Sequence, residues 1–392
     1  MTIPTVLVLA NAPENKKGMA TQILVLLIIM AQVLGPFVGG WITDNFGWRW
    51  IFFINIPFCV FSLVITAVAL KGRETTTTNI PLDVAAFLLL AIGVGALQVF
   101  LDRGNDEDWF GSTKIIILAL IFTISLSFFI PWNLYSQKRL VEVRYFRDLN
   151  FSVSTFVTTL AWLSVGGTTI LMSLWLQTQM GYTATYAGLA VMPLGLTPVL
   201  IAPLVDYLMK TVSLRMVTTV GLTLSAATCF WFSNITPQVT LSHLMWIRAI
   251  QGLSLPLCFL PLFQLSVSHI EEGEITKANG VYNFIKVLLG GGGISTALYT
   301  TFWDRREALH HSDLTEVLQP LRTPTLEAYK ALHNVGVDDA SAALFFEYTT
   351  SNQAYTIAFN DIMWLTGWVL LLLVIPTWFC VEAHKRRRVA AA

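Results

Sequence analysis

Ten long apolar runs divide this chain, near 18–41, 49–71, 82–101, 113–135, 149–178, 184–209, 213–233, 241–269, 277–303 and 356–382. A run of about 18 or more such residues with few charges is long enough to cross hydrocarbon as a helix. The helix suits that solvent because it satisfies every backbone N–H and C=O within the segment. The fold class follows: an all-α polytopic membrane protein with about ten transmembrane helices. Charged residues make up 12% of the chain, about half the usual share in soluble domains. The lipid bilayer is therefore the first partner. A net charge of zero points to no other, and no nucleic-acid partner is expected.

Charge placement orients the runs. With the first residues in the cytoplasm and one crossing per run, Lys16, Lys17, Lys71, Arg73, Lys138, Arg139, Arg144, Arg147 and the cluster Lys385 to Arg388 share one side. On the other side most basic residues fall in a single long segment, 304–355. That asymmetry is the positive-inside pattern, and an even number of crossings leaves both termini cytoplasmic. Cys59, Cys229, Cys258 and Cys380 all lie in apolar runs without metal-ligand spacing, so they read as buried small hydrophobes and no metal is expected. The acid-rich 304–355 segment, with amphipathic stretches such as LEAYKALHNV, reads either as a partly helical cap or as a solvated loop.

A weak internal echo appears at a displacement of 257, which places Pro4 on Pro261, Glu14 on Glu271 and Gly35 on Gly292. In the second copy an apolar stretch, HLMWIRAIQGLSLPLCFL, precedes Pro261. The first copy has no counterpart, so residues 1–17 read as the tail of a truncated helix plus a cytoplasmic turn. The organisation expected is then 18–71 as two helices of an N-terminal bundle and 82–135 as two linker helices. A six-helix bundle over 149–382 carries the 304–355 loop, and 383–392 form a basic tail.

The segment LGPFVGGWITDNFGWRWIFFINIP (34–57) puts Gly35, Pro36, Gly39 and Gly40 at the end of an apolar run. In lipid, small residues let helix backbones approach and gain packing energy, and Pro36 kinks the helix. Trp41, Trp48 and Trp50 mark the interface belt. GPFVGG resembles the antiporter motif of the major facilitator superfamily, with Ala31 where the family has an earlier glycine. WRWIFFINIP (48–57), GRETT (72–76), LQVFLDRGNDEDWF (97–110), GYTATYAGLA (181–190) and RREALHHSDLTE (305–316) are similar to the EmrB-type inner-membrane subunit of multidrug efflux pumps.

That resemblance implies a major facilitator fold and proton-driven export of small amphipathic drugs. It also implies a periplasmic adaptor protein and an outer-membrane channel as partners, and residence in the bacterial inner membrane. The family has fourteen helices, so four are expected to be absent here, together with the acidic motif held to couple protons. No ATP-binding loop and no nucleophile–base set occurs; the chain reads as a transporter without catalytic residues, needing no cofactor beyond a proton gradient. A transport-inactive remnant that keeps an adaptor-binding or scaffold role is the alternative, and a nutrient importer of the same fold is the third reading.

Ionisable residues within apolar runs are costly and point to function. Arg248, in WIRAIQG, resembles the superfamily's Arg motif. Lys286, in NFIKVLLGGGG, either faces a central cavity or snorkels to the interface. Asp361, five or six residues inside the last run, is either an interfacial cap or a proton carrier. Asp206, with Lys210 and Arg215 as charge partners, resembles a degraded gating loop. Thr158, Trp162, Thr169, Ser173 and Gln177 recur on one helical face, and Asn279, Asn283 and Lys286 form a similar stripe. Such stripes either line a water-filled cavity or hydrogen-bond between helices.

Overall fold

A computed structural model describes residues 34–71, 83–136, 141–317 and 323–382. The expected helix tail at 1–17, most of the 18–41 run, the first copy of the internal echo and the basic tail at 383–392 lie outside the described residues. Among those described, every regular element is helical. Helix α1 covers 34–46, and a turn at Trp50–Phe53 leads into α2 (Asn55–Leu70). A hairpin follows, of α3 (Val84–Gly104) and α4 (Thr113–Tyr135). Then come α5 (Leu149–Thr178), α6 (Ala184–Thr211), α7 (Leu214–Phe232), α8 (Leu241–Ser266), α9 (Ile275–Gly290), α10 (Gly292–Val317), α11 (Thr323–Asn334) and α12 (Asp339–Leu372). Among the described residues, eight spans are long and apolar enough to cross a membrane, against ten read from the runs. The first run is described only from residue 34, and α7, which carries Arg215 and four threonines, is not among the eight.

The runs mark where helices enter lipid, not where they end. The 277–303 run is two helices, because Gly291 takes an extended conformation (φ −78°, ψ 177°) and closes α9. A side chain at Gly290 would meet the Thr159 carbonyl at 2.5 Å, so the break brings α9 against the backbone of α5. The 304–355 segment is not a loop. About its first quarter continues α10 to Val317, α11 follows, and Asp338 caps α12 by accepting from the Ser341 N–H at 3.4 Å. These turns are polar, and in a polar helix hydropathy carries no signal.

The hairpin is pinned at one end by a single carboxylate. Asp83 caps α3 through the Ala86 N–H (3.0 Å) and accepts from Trp132 Nε1 (3.0 Å) and Ser136 Oγ (2.8 Å) on α4. Around α5 gather α8, α9, α10 and α12, with α6 and α7 packed on α8. Their centre holds Leu171, Trp175, Phe232, Ile247 and Phe359, all fully buried, with Trp175 stacked on Phe359 at 5.2 Å. Lipid-facing leucines gain nothing by leaving lipid, so close van der Waals contact and interhelical hydrogen bonds carry the bundle. Trp175 Nε1 to Thr356 (3.1 Å) and Tyr299 OH with Thr366 (2.9 Å) supply two of those bonds. By contrast α2 buries nothing among the described residues.

Candidate functional site

The polar stripe of α5 begins as a helix contact and ends as an open face. Asp148 starts the helix by accepting from the Phe151 N–H at 2.9 Å. Two and a half turns on, buried Thr158 shares a 2.7 Å hydrogen bond with Tyr282 of α9. One turn further, the Trp162 ring carries the Lys286 ammonium 4.8 Å above its centre and the edge of Phe259 at 5.3 Å. Lys286 therefore packs on a ring and pairs with no acid among the described residues. Its charge rests on an indole face, an interaction of about 0.5–2 kcal/mol depending on desolvation. Asn283 donates to Asn279, 2.5 Å to its Oδ1, so the α9 stripe meets the α5 stripe at Lys286 and Trp162.

Beyond Trp162 the partners stop. Thr169, Ser173 and Gln177 donate only to carbonyls one turn back on their own helix, at 2.7, 3.0 and 3.1 Å. None of the three is buried. Of the two readings of the stripe, interhelical bonding describes Thr158. The upper three residues have no cross-helix partner among the described residues, and water is the solvent that suits them.

Arg248 does not line a cavity. It is fully buried, with Nη1 donating to Gln251 (2.6 Å), Nη2 to the Thr168 carbonyl (2.7 Å) and Nε directed at Met172 Sδ (2.9 Å). Its guanidinium lies 4.9 Å over Phe232. No carboxylate pairs with it among the described residues, so α5 and α8 are joined by a solvent-free cation held on dipoles. Asp206 also differs from expectation. It pairs with Lys210 one turn along its own helix (2.5 Å), while Arg215 turns to Glu382 at 3.6 Å. The expected Asp206–Arg215 pair is absent because the two face different neighbours. Asp361 is neither an end cap nor near a helix start, since α12 begins at Asp339. It is the acceptor for Arg306 Nε (2.9 Å) and His310 Nε2 (2.7 Å), both on α10, and His311 reaches Glu347 at 3.2 Å. The RREALHHSDLTE segment thus ties α10 to α12.

The antiporter-like motif packs against a second sequence motif. A side chain at Gly40 would meet the backbone of Ala184 and Thr185 at 2.6 and 2.9 Å; one at Gly188 would meet Pro36 C at 2.7 Å and Phe37 Cα at 3.0 Å. GPFVGG and GYTATYAGLA are therefore two halves of one helix crossing. Gly35 and Gly39 do not share it: nothing lies within 4 Å of a side chain built at either, among the described residues. Asp44, two turns past Pro36 and unremarked in the sequence, completes the joint. It accepts from the backbone N–H of Thr185 (2.7 Å) and Ala184 (3.2 Å), and from the Thr185 hydroxyl. Thr183, the residue before α6, makes no side-chain cap of its own. A carboxylate on α1 thus caps α6, where orphan N–H groups and the helix dipole favour negative charge. These bonds, those from Thr185 first, hold the Asp44 carboxyl below the usual carboxylate range. An Asp near a helix end facing an uncapped T-A-T start was the only available signal.

No cluster of three metal-ligating side chains occurs among the described residues. Bundled spans, a glycine-mediated crossing between distant helices and a half-exposed polar face define a polytopic helical transporter. The profile of the Major Facilitator Superfamily matches residues 1–294. The chain is similar to fatty acid resistance protein FarB of Neisseria gonorrhoeae, 37% identical over 370 residues, which cover 94% of this chain and 72% of FarB. It is also similar to multidrug export protein EmrB of Haemophilus influenzae (34% over 374 residues; 95% and 73%) and EmrB of Escherichia coli K12 (33% over 374 residues; 95% and 73%). The chain belongs to the major facilitator superfamily, as an EmrB-type multi-pass membrane transporter rather than an enzyme.

Proposed function

We propose that this chain exports small amphipathic drugs or toxic compounds across the bacterial inner membrane, driven by inward proton flow. The observation that carries the reading is the joined stripe of α5 and α9. There an indole face, an ammonium with no acidic partner among the described residues and three polar side chains that are not buried line one surface. An amphipathic cargo with an aromatic or cationic part competes with Lys286 for the Trp162 face. Displacing the lysine costs little because no salt bridge is broken. Apolar walls then supply most of the affinity, as suits a broad substrate range. The similarity to FarB and EmrB supports export as the direction. With both termini cytoplasmic, the α10–α11–α12 extension stands on the periplasmic side, where it would meet an adaptor protein docked to an outer-membrane channel.

Ethidium accumulation in cells carrying or lacking the gene, with and without a protonophore, tests this. The expected result is lower accumulation with the gene, abolished by the protonophore and by deletion of the adaptor. Equal accumulation in all arms removes the export reading. Export that survives the protonophore removes the proton coupling alone.

A further inference from the structure

A cavity separate from that stripe lies between the α3–α4 hairpin and α10. It holds about 370 Å³ and is lined by Leu101, Trp109 and Phe110 on one side and by Leu298, Phe302 and Arg305 on the other. Three features distinguish it from a chance gap. Its hairpin wall is set by an unusual backbone, since Asp108 and Trp109 are consecutive left-handed residues (φ 56° and 45°). L residues leave that conformation unless something holds them, and here it delivers the Trp109 ring against Phe100 at 5.4 Å. Two polar atoms of lining residues, Trp109 Nε1 and Thr301 Oγ1, are buried without a hydrogen-bond partner. Buried polar groups are normally satisfied. Finally, Arg306 is occupied by Asp361, whereas the neighbouring Arg305, a third of a turn round α10, stands exposed at the cavity with no acidic partner among the described residues.

We propose that this cavity binds a single-chain amphiphile with an anionic head. The head pairs with Arg305, and the alkyl chain lies along α10 toward Ile294. The wall from Ile294 to Arg305 is about 16 Å long at the helical rise, which suits one extended chain. The volume is near the lower end of ligand pockets, about 300–1,000 Å³, and leaves no room for a second chain. A cation with no acidic partner among the described residues selects an anion over a neutral head. The site is separate from the α5–α9 stripe and does not rest on the export reading.

Photolabelling of the full chain in detergent tests it, using palmitic acid carrying a diazirine near its carboxylate and peptide mapping of the adducts. The expected adducts fall within 101–110 and 294–305. Arg305→Gln lowers them about tenfold, in line with the loss of one charge-assisted hydrogen bond, and Arg305→Lys keeps most of the labelling. Ala297→Trp, which fills the cavity and leaves the charge, also abolishes them. Should that variant fail to fold, the Gln and Lys pair decides alone. Equal labelling by a neutral hexadecanol analogue, labelling unchanged in Arg305→Gln, or competition by dioleoylphosphatidylglycerol as strong as that by palmitate overturns the proposal.

Discussion

Adding one methyl group at Gly188 separates two helices that the sequence places about 150 residues apart. In Gly188→Ala the new carbon sits 2.7 Å from Pro36 C and 3.0 Å from Phe37 Cα. Both are backbone atoms, and no rotamer relieves the contact. Ordinary carbon contacts lie at about 3.5–4.0 Å, so α1 and α6 must part by about 1 Å. That retreat stretches the Thr185 N–H bond to Asp44 from 2.7 Å past the range where a hydrogen bond survives. The steric cost alone is about 1–3 kcal/mol, which shifts an open–closed ratio by about five- to a hundredfold. The assay is disulfide formation between cysteines at 44 and 185, whose native side chains touch, with a protease site engineered between them. Gly188→Ala and Gly40→Ala should each slow the crosslink about tenfold. Gly39→Ala, from the same motif but with nothing within 4 Å among the described residues, should leave it unchanged. Equal rates in all three variants refute the reasoning.

Further outcomes follow from the other contacts. Asp44 is held below the ordinary carboxylate value by its hydrogen bonds from Thr185 and Ala184, so its cap is present above the ordinary value and is lost as pH falls through the lowered one. The difference in thermal stability between the protein and Asp44→Asn should therefore stay flat from about pH 5 to 8 and close only below about pH 4. Trp162→Leu should release the Lys286 ammonium and weaken ethidium binding about tenfold in a fluorescence titration, while Phe259→Leu, which leaves the indole face under the ammonium in place, should cost far less. Arg248→Lys should lower folded yield in detergent sharply, because an ammonium cannot reach Gln251, Thr168 and Met172 at once; a wild-type yield would show that the planar fork is dispensable.

The solvent wrote the larger part of this fold into the sequence, and contacts between distant helices wrote almost nothing. Apolar runs mark the membrane-buried parts of α3 to α6 and α8 within a few residues, because hydrocarbon forbids charge along a whole span. The same rule hid the outer halves of α10 and α12: RREALHHSDLTE and the start of α12 are polar, and a polar helix in water has no hydropathy signature. GPFVGG is legible as a small-residue pattern and GYTATYAGLA as a segment similar to the EmrB-type family. Their meeting is not, since a crossing leaves no period in either segment. Lys286 and Trp162 sat on separate stripes whose periodicity gave each face but not the angle between them. Arg248 stood out as a charge in lipid; its enclosure by Phe232, Met172 and Thr168 is a tertiary fact. Asp44 carries little signal of its own because its partner, an uncapped helix start, lies far along the chain.

Thiol accessibility in intact membranes tests most directly whether the upper α5 stripe faces water inside a lipid-embedded bundle. Cys59, Cys229, Cys258 and Cys380 are replaced, and single cysteines are placed at Thr169, Ser173 and Val220. A charged maleimide should label positions 169 and 173 and leave 220, an exposed apolar position on α7, unreacted until detergent is added. Silent cysteines at 169 and 173 beside a reactive one at 220 would contradict it.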